Sequence, residues 1–140
     1  MHFIPYLTFN GNCREALQRY AEIFSGDIVA MQRFGDEESC RSMPAETQEL
    51  IMFGHLKANE AVLFASDDPS NSYELPQSMH ISVSFPTVLQ AKEVFDQLND
   101  GGETLMPFEK TFFSAGFGMT RDCFGILWMV NVNDPDSDYY

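Results

Sequence analysis

The sequence predicts an α+β fold in which two βαβββ repeats form a cupped mixed sheet with the helices outside. The order of a strand, a helix and three strands occurs twice along the chain of 140 residues. An offset of 75 residues also aligns core positions of the two halves, pairing Ala16 with Ala91, Tyr20 with Phe95, Ile23 with Leu98 and Gly26 with Gly101. One such unit cannot bury both faces of its sheet. We therefore expect two units side by side, with a cavity inside.

Repeat one is predicted over residues 1–67 of a single domain. Its strands are expected at residues 3–9, 27–34, 49–57 and 61–66. Asn12 is predicted to cap a helix through a capping box with Glu15, and Gly26 is predicted to end it. The helix presents one apolar face at helical spacing. A long polar loop is expected at residues 35–48.

Repeat two is predicted over residues 77–133, after a polar join at residues 67–73. Its strands are expected at residues 78–85, 103–107, 116–121 and 126–132. Thr87 is predicted to cap the helix, with Gln90 three residues later, and Gly101 is predicted to end it. An acidic tail is expected at residues 134–140.

Composition excludes several classes of protein. The net charge of −13 repels phosphate backbones, which disfavours nucleic acid as a partner. The charge has two explanations, solubility or attraction of a cationic ligand. No apolar run has the length of a membrane helix, and the N-terminus lacks the pattern of a signal peptide. Three cysteines without a CxxC pair favour reduced thiols, so we predict a cytoplasmic location.

Three stretches of the sequence are characteristic. They are PYLTFNGNCREA at residues 5–16, GGE with MP at residues 101–107, and the segment from FGM at 117–119 to WMVN at 128–131. Together they resemble PhnB-like proteins of the glyoxalase/bleomycin-resistance group. The resemblance implies the vicinal-oxygen-chelate fold and a homodimer with shared cavities. Relatives are often labelled ubiquinone-pathway methyltransferases, but this sequence has no glycine-rich strand-to-helix loop for an adenosyl cofactor.

Metal-dependent relatives resembling glyoxalase hold a divalent ion through four residues on the first and last strands of each repeat. The matching positions are His80 and Met129 in repeat two, and Pro5 and about Ala65 in repeat one. Of these, only His80 suits such an ion, because a thioether is a soft ligand. A slip of one residue offers Ile4, Phe64, Ser66, Trp128 or Val130 instead. We therefore predict no metal and no cofactor.

Six residues are candidates for contacting a ligand in the cavity: His80, Ser82, Glu109, Phe113, Trp128 and Met129. His80 and Ser82 alternate with apolar residues and are predicted to face the interior. There His80 could bond a ligand or act as a base, or it could have no role. Glu109 fits either a cavity rim or a surface pair with Lys110. Phe113 and Trp128 fit either core packing or a cavity wall. His55 is expected to form a cross-strand pair.

Three functions are compatible with these features. The first is a metal-free homodimer that binds a small, cationic aromatic ligand, as the resemblance to bleomycin-resistance proteins implies. The second is a divalent-metal-dependent lyase, isomerase or dioxygenase with atypical ligands. The third is a structural or regulatory homodimer without a ligand. The sequence leaves open whether the protein is an enzyme, and it shows no cluster of basic residues for a phosphonate.

Overall fold

The structure is a computed structural model, and it describes residues 1–133. The predicted acidic tail at residues 134–140 lies outside this part. The chain forms two compact units, Met1–Glu74 and Leu75–Tyr140. Each unit contains one mixed sheet of four strands and one helix of twelve residues. Among the described helices, none is long and apolar enough to cross a membrane.

The first unit has the predicted order of a strand, a helix and three strands. Its strands are β1 Tyr6–Phe9, β2 Asp27–Arg33, β3 Ile51–Ala58 and β4 Ala61–Asp67, and its long helix is α1 Cys13–Phe24. The strand order in the sheet is β1-β4-β3-β2, with β1 parallel to β4 and the other pairs antiparallel. The predicted loop at residues 35–48 is less irregular than expected. It holds 3-10 turns at Phe34–Asp36 and Glu38–Cys40 and a short helix, α2, at Ala45–Gln48.

Helix α1 covers one face of this sheet. Its buried residues are Cys13, Ala16, Leu17, Tyr20 and Ile23, which is the apolar face that the periodicity predicts, with Cys13 added. A Cβ at Gly54 of β3 would collide with the side chain of Leu17. Gly54 therefore lets the helix lie close against the middle of the sheet.

The predicted capping of α1 by Asn12 is wrong. The Asn12 side chain makes no capping hydrogen bond. Instead, Asp67 at the end of β4 accepts hydrogen bonds at Oδ1 from the backbone N–H groups of Gly11 and Cys13, at 2.9 and 3.0 Å. Its Oδ2 accepts from the Ile51 N–H at 2.9 Å. This buried carboxylate satisfies the free N–H groups at the start of the helix and ties it to β3 and β4.

The second unit repeats the arrangement. Its strands are β5 Ile81–Phe85, β6 Glu103–Glu109, β7 Phe117–Arg121 and β8 Leu127–Val132, and its helix is α3 Val88–Asn99. The order in the sheet is β5-β8-β7-β6, with β5 parallel to β8. The Thr87 side chain accepts a hydrogen bond from the Gln90 N–H at 3.2 Å, which confirms the predicted cap.

Two strands begin later than predicted, which moves His80 out of its expected strand. The first strand starts at Tyr6 rather than residue 3, and β5 starts at Ile81 rather than residue 78. Ser78 has a φ of 59°, a left-handed conformation that interrupts an extended strand. His80 therefore lies just before β5.

The offset between the repeats is 75 residues for the helices but 76 for the first strands. The Phe9 carbonyl accepts from the Asp68 N–H and the Phe85 carbonyl from the Asn133 N–H, both at 2.8 Å, so Phe9 corresponds to Phe85. The predicted match of His80 with Pro5 is therefore wrong by one residue. Because a strand alternates between faces, a shift of one residue changes the face on which a side chain lies.

Glycines at the ends of the helices confirm this shift. Ser25, with a φ of 50°, ends α1, and a Cβ on Gly26 would lie 2.8 Å from the Lys57 carbonyl oxygen. The close approach to a strand is made in the second unit by Gly102, not by Gly101, because a Cβ there would collide with the Arg121 carbonyl oxygen. The predicted pairing of Gly26 with Gly101 therefore fails in the structure.

Candidate functional site

The sheet face opposite α3 carries several of the candidate residues. A Cβ on Gly118 of β7 would lie 2.7 Å from the Phe95 ring, and Thr120 Oγ1 lies 2.7 Å from Asn99 Oδ1, so both β7 residues face α3. The alternation of the strand then places Phe117 and Met119 on the opposite face. This face is where a ligand can meet side chains that α3 does not cover.

A row of methionines crosses the face opposite α3. In the sheet register Ser82 pairs with Met129, Met129 with Met119, and Met119 with Met106. The exposure of these side chains ranges from intermediate at Met129 and Met119 to 39% at Met106. Sequence reasoning identified Ser82 and Met129 but missed Met119 and Met106, because only strand pairing brings them into line. Flexible thioether side chains form an adaptable apolar surface.

His80 lies two residues before Ser82 and is partly buried. Its Nε2 atom is inaccessible to solvent and has no hydrogen-bond partner. A buried polar atom without a partner costs about 1–3 kcal/mol, and in native proteins it calls for an explanation. One explanation is a ligand group that bonds this nitrogen.

Trp128 lies on the other face of the sheet. It pairs with Ile81 and Thr120, and only 2% of it is exposed. Its Nε1–H donates to Asp122 Oδ2 at 2.8 Å. Asp122 Oδ1 also accepts from the backbone N–H groups of Phe124 and Ile126, both at 2.9 Å. The structure therefore places Trp128 in the core beside α3, apart from Met129 and Ser82.

Glu109 and Phe113 lie near each other at the junction of β6 and β7. Glu109 is exposed and pairs in register with Phe117, and the Phe113 ring lies 5.1 Å from the Phe117 ring. Phe112 is fully exposed and packs edge to face against Phe113 at 5.1 Å. Phe113 is itself 51% exposed, so this aromatic run reaches from solvent to the face opposite α3.

The corrected offset changes two of the four positions at which metal-dependent relatives hold their ion. In repeat one they become Ile4 and Phe64, opposite His80 and Met129 in repeat two. Neither Ile nor Phe has a donor atom in its side chain. Within residues 1–133, no group of three or more His, Cys, Asp or Glu side chains is close enough to hold an ion. The absence of a metal in the functional protein stays a prediction.

Cys13 is the buried thiol of the chain. Burial, together with the nearby Asp67 carboxylate and against the influence of Arg14, raises the pKa of Cys13 to about 12. A nucleophilic cysteine needs a lowered pKa. Cys13 is therefore a packing residue at the start of α1.

His55 forms the expected cross-strand pair. It is opposite Phe64 in the register of β3 and β4, and the two rings pack edge to face at 5.0 Å. Like His80, it has a buried Nε2 atom without a hydrogen-bond partner. Sequence reasoning gave no sign of this orphaned nitrogen, because the burial of an atom depends on tertiary packing.

Comparison with known proteins places the chain among close relatives. Residues 1–131 match the family model described as 3-demethylubiquinone-9 3-methyltransferase. The Escherichia coli (strain K12) protein YjdN is 29% identical over 143 residues, covering 94% of this chain and 95% of YjdN. The crystal structure of PA1353 from Pseudomonas aeruginosa is 39% identical with a TM-score of 0.86, covering 95% of this chain and 98% of that one.

More distant structures share the fold. A putative 3-demethylubiquinone-9 3-methyltransferase, PhnB protein, from Bacillus cereus has a TM-score of 0.81 at 22% identity and covers 95% of this chain and 100% of its own. A glyoxylase/bleomycin resistance protein/dioxygenase domain from Frankia sp. EAN1pec has a TM-score of 0.70 at 14% identity, with 98% and 94% covered. These likenesses confirm the predicted α+β fold of two four-stranded mixed sheets with helices.

Proposed function

Because the chain belongs to the PhnB-like family of the glyoxalase/bleomycin-resistance superfamily, we propose that it is a metal-free homodimer that binds a small, cationic aromatic ligand. The ligand contacts the face opposite α3 around His80, Ser82 and Met129. Glu109 and Phe113 lie at the rim of this surface. Trp128 supports it from the core side of the sheet.

The row of Ser82, Met129, Met119 and Met106 beside the orphaned His80 nitrogen is the observation that carries this proposal. Ligand sites are mostly apolar with a few placed polar groups, and this row has that composition. Methionines also accommodate ligands of different shape.

The charge of the chain supports a cationic rather than an anionic ligand. With a net charge of −13, the field of the protein attracts cations and repels anions at a distance. Glu109 is an exposed carboxylate close to the Phe113–Phe117 ring pair. Aromatic faces also attract cations within about 6 Å of the ring centre.

The homodimer, the metal-free state and the cytoplasmic location are further parts of the proposal. The three cysteines, Cys13, Cys40 and Cys123, are free thiols, which agrees with a reducing compartment. Sedimentation should give a mass of twice the 15.9 kDa of one chain. A monomeric mass at all concentrations tested would count against shared sites.

Calorimetry with a panel of cationic aromatic compounds and matched anionic ones tests the ligand class. We expect cations to bind, and Met129→Ala to weaken binding about fivefold or more through lost apolar contact. Leu89→Ala is the matched control, because Leu89 is 69% exposed on α3 and lies outside the proposed surface. Equal effects of the two substitutions, or a preference for anions, would contradict the proposal.

Metal addition tests the alternative of a divalent-metal-dependent lyase, isomerase or dioxygenase. The orphaned His80 nitrogen is the one feature that favours it, since a neutral imidazole is a common metal ligand. We expect Mn²⁺, Ni²⁺ and Zn²⁺ to leave the melting temperature unchanged. A rise that His80→Ala abolishes would favour the alternative instead.

A further inference from the structure

The first unit has its own aromatic surface on the sheet face opposite α1. Leu17 of α1 packs over Gly54, so the neighbouring residues of β3, Phe53 and His55, lie on the other face. The Phe64 ring contacts both, at 5.2 Å from the Phe53 ring and 5.0 Å from the His55 ring. Tyr6 on the edge strand β1 is opposite Phe64 in register. We call Tyr6, Phe53, His55 and Phe64 the aromatic face.

The aromatic face contains one unmatched polar atom. His55 Nε2 is buried and has no hydrogen-bond partner, and within residues 1–74 it is the one described buried side-chain atom in that state. Its ring neighbours are Phe53 and Phe64. A water needs two to four polar partners, which phenyl rings do not offer. A ligand that brings one polar group with an apolar body fits this environment better.

We propose that the aromatic face is a second ligand site, for a planar aromatic molecule that carries a hydroxyl group. The ring packs against Phe64 and Phe53 in an edge-to-face or offset manner. The hydroxyl reaches His55 Nε2. A hydroxyl both donates and accepts, so it bonds this nitrogen whichever tautomer the imidazole adopts.

The exposure of the side chains indicates the direction of entry. Tyr6 is 52% exposed at the sheet edge, Phe64 is partly buried, and His55 Nε2 is inaccessible. A ligand therefore enters at β1 and reaches the nitrogen by a rotation of the Phe64 ring. The Tyr6 ring covers the part of the ligand nearest to solvent.

Tyramine and phenethylamine are suitable probes, because both are cationic aromatic amines and only tyramine has a hydroxyl group. We expect calorimetry to show tighter binding of tyramine by about tenfold, the effect of one hydrogen bond to a buried partner. His55→Phe keeps the ring shape and should reduce the ratio to about one. His80→Phe is the matched control and should leave the ratio unchanged.

Histidine nitrogen NMR gives a second readout on the unaltered protein. The chain has three histidines, so the two variants assign their signals. Tyramine should move the Nε2 signal of His55, and phenethylamine should not. This measurement decides the matter if His55→Phe does not fold.

Three outcomes would overturn the inference: no binding of either amine, an unchanged ratio in His55→Phe, or a loss of the ratio in His80→Phe. The inference does not rest on the function proposed for the second unit. Met129→Ala alters that surface alone, so it should weaken both amines equally or neither. A hydroxyl preference lost in Met129→Ala but kept in His55→Phe would assign the hydroxyl to the second unit.

Discussion

Asp67→Asn should strongly destabilise the protein although the two side chains have the same shape. The carboxylate is 3% exposed, and both of its oxygens accept backbone N–H groups, from Gly11 and Cys13 on one side and Ile51 on the other. An amide has one acceptor oxygen and one N–H₂ donor. In either orientation of the amide, at least one buried N–H therefore faces a donor.

The expected loss follows from these three bonds. Removing one hydrogen bond to a charged acceptor costs about 1.5–3 kcal/mol, and the buried N–H left without a partner costs about 1–3 kcal/mol. The two remaining bonds also lose the charge of their acceptor. We expect about 3–5 kcal/mol in total, a large part of the roughly 5–15 kcal/mol that stabilises a typical protein.

Urea unfolding followed by circular dichroism measures this loss. Asp68→Asn is the matched control, because the neighbouring Asp68 also accepts three hydrogen bonds, from the Ser70 N–H and hydroxyl and from the Ser72 N–H, but it is exposed. We expect the unfolding midpoint of Asp68→Asn to stay close to that of the unaltered protein. Similar midpoints for the two variants would refute the role of Asp67 as the buried cap of α1.

Three further predictions concern the core. Trp128→Phe should cost about 2–4 kcal/mol by calorimetry, because it removes the indole donor from the buried Asp122 carboxylate. Gly118→Ala should cost about 1–3 kcal/mol in urea unfolding, because its Cβ would lie 2.7 Å from a phenyl ring of α3. Iodoacetamide should label the exposed Cys123 and spare Cys13, as seen by mass spectrometry. Because folding raises the pKa of Cys13 from 9.0 to about 12, the unfolded chain releases this proton first, so stability should fall as the pH rises from 9 to 12.

Local periodicity predicted the elements of the fold well. The buried residues Ala16, Leu17, Tyr20 and Ile23 of α1 lie at helical spacing in the sequence, and so do the buried residues of α3. Thr87 and Gln90 lie within one turn of each other, so their cap could be read directly. Interactions of this kind depend on neighbours in the chain, which a single sequence displays.

The cap of α1 could not be predicted in the same way. Asn12 has a suitable side chain at the right position, but Asp67 supplies the bonds from 54 residues away along the chain. The carboxylate is a stronger acceptor than the Asn amide, and its two oxygens serve three N–H groups together. Only the pairing of β1 with β4 brings Asp67 to the start of the helix.

The orphaned nitrogens and the methionine row depend on tertiary structure too, and they show how the two repeats differ. On the helix side, packing imposes the same solution twice, since Gly54 and Gly118 both admit a helix side chain. On the opposite side, the corrected register matches Phe64 with Met129. No helix of the same unit constrains that side, so its residues can change without loss of the fold. The repeats therefore share their architecture while offering different surfaces, aromatic in one unit and rich in methionine in the other, and ligand specificity should follow from that difference.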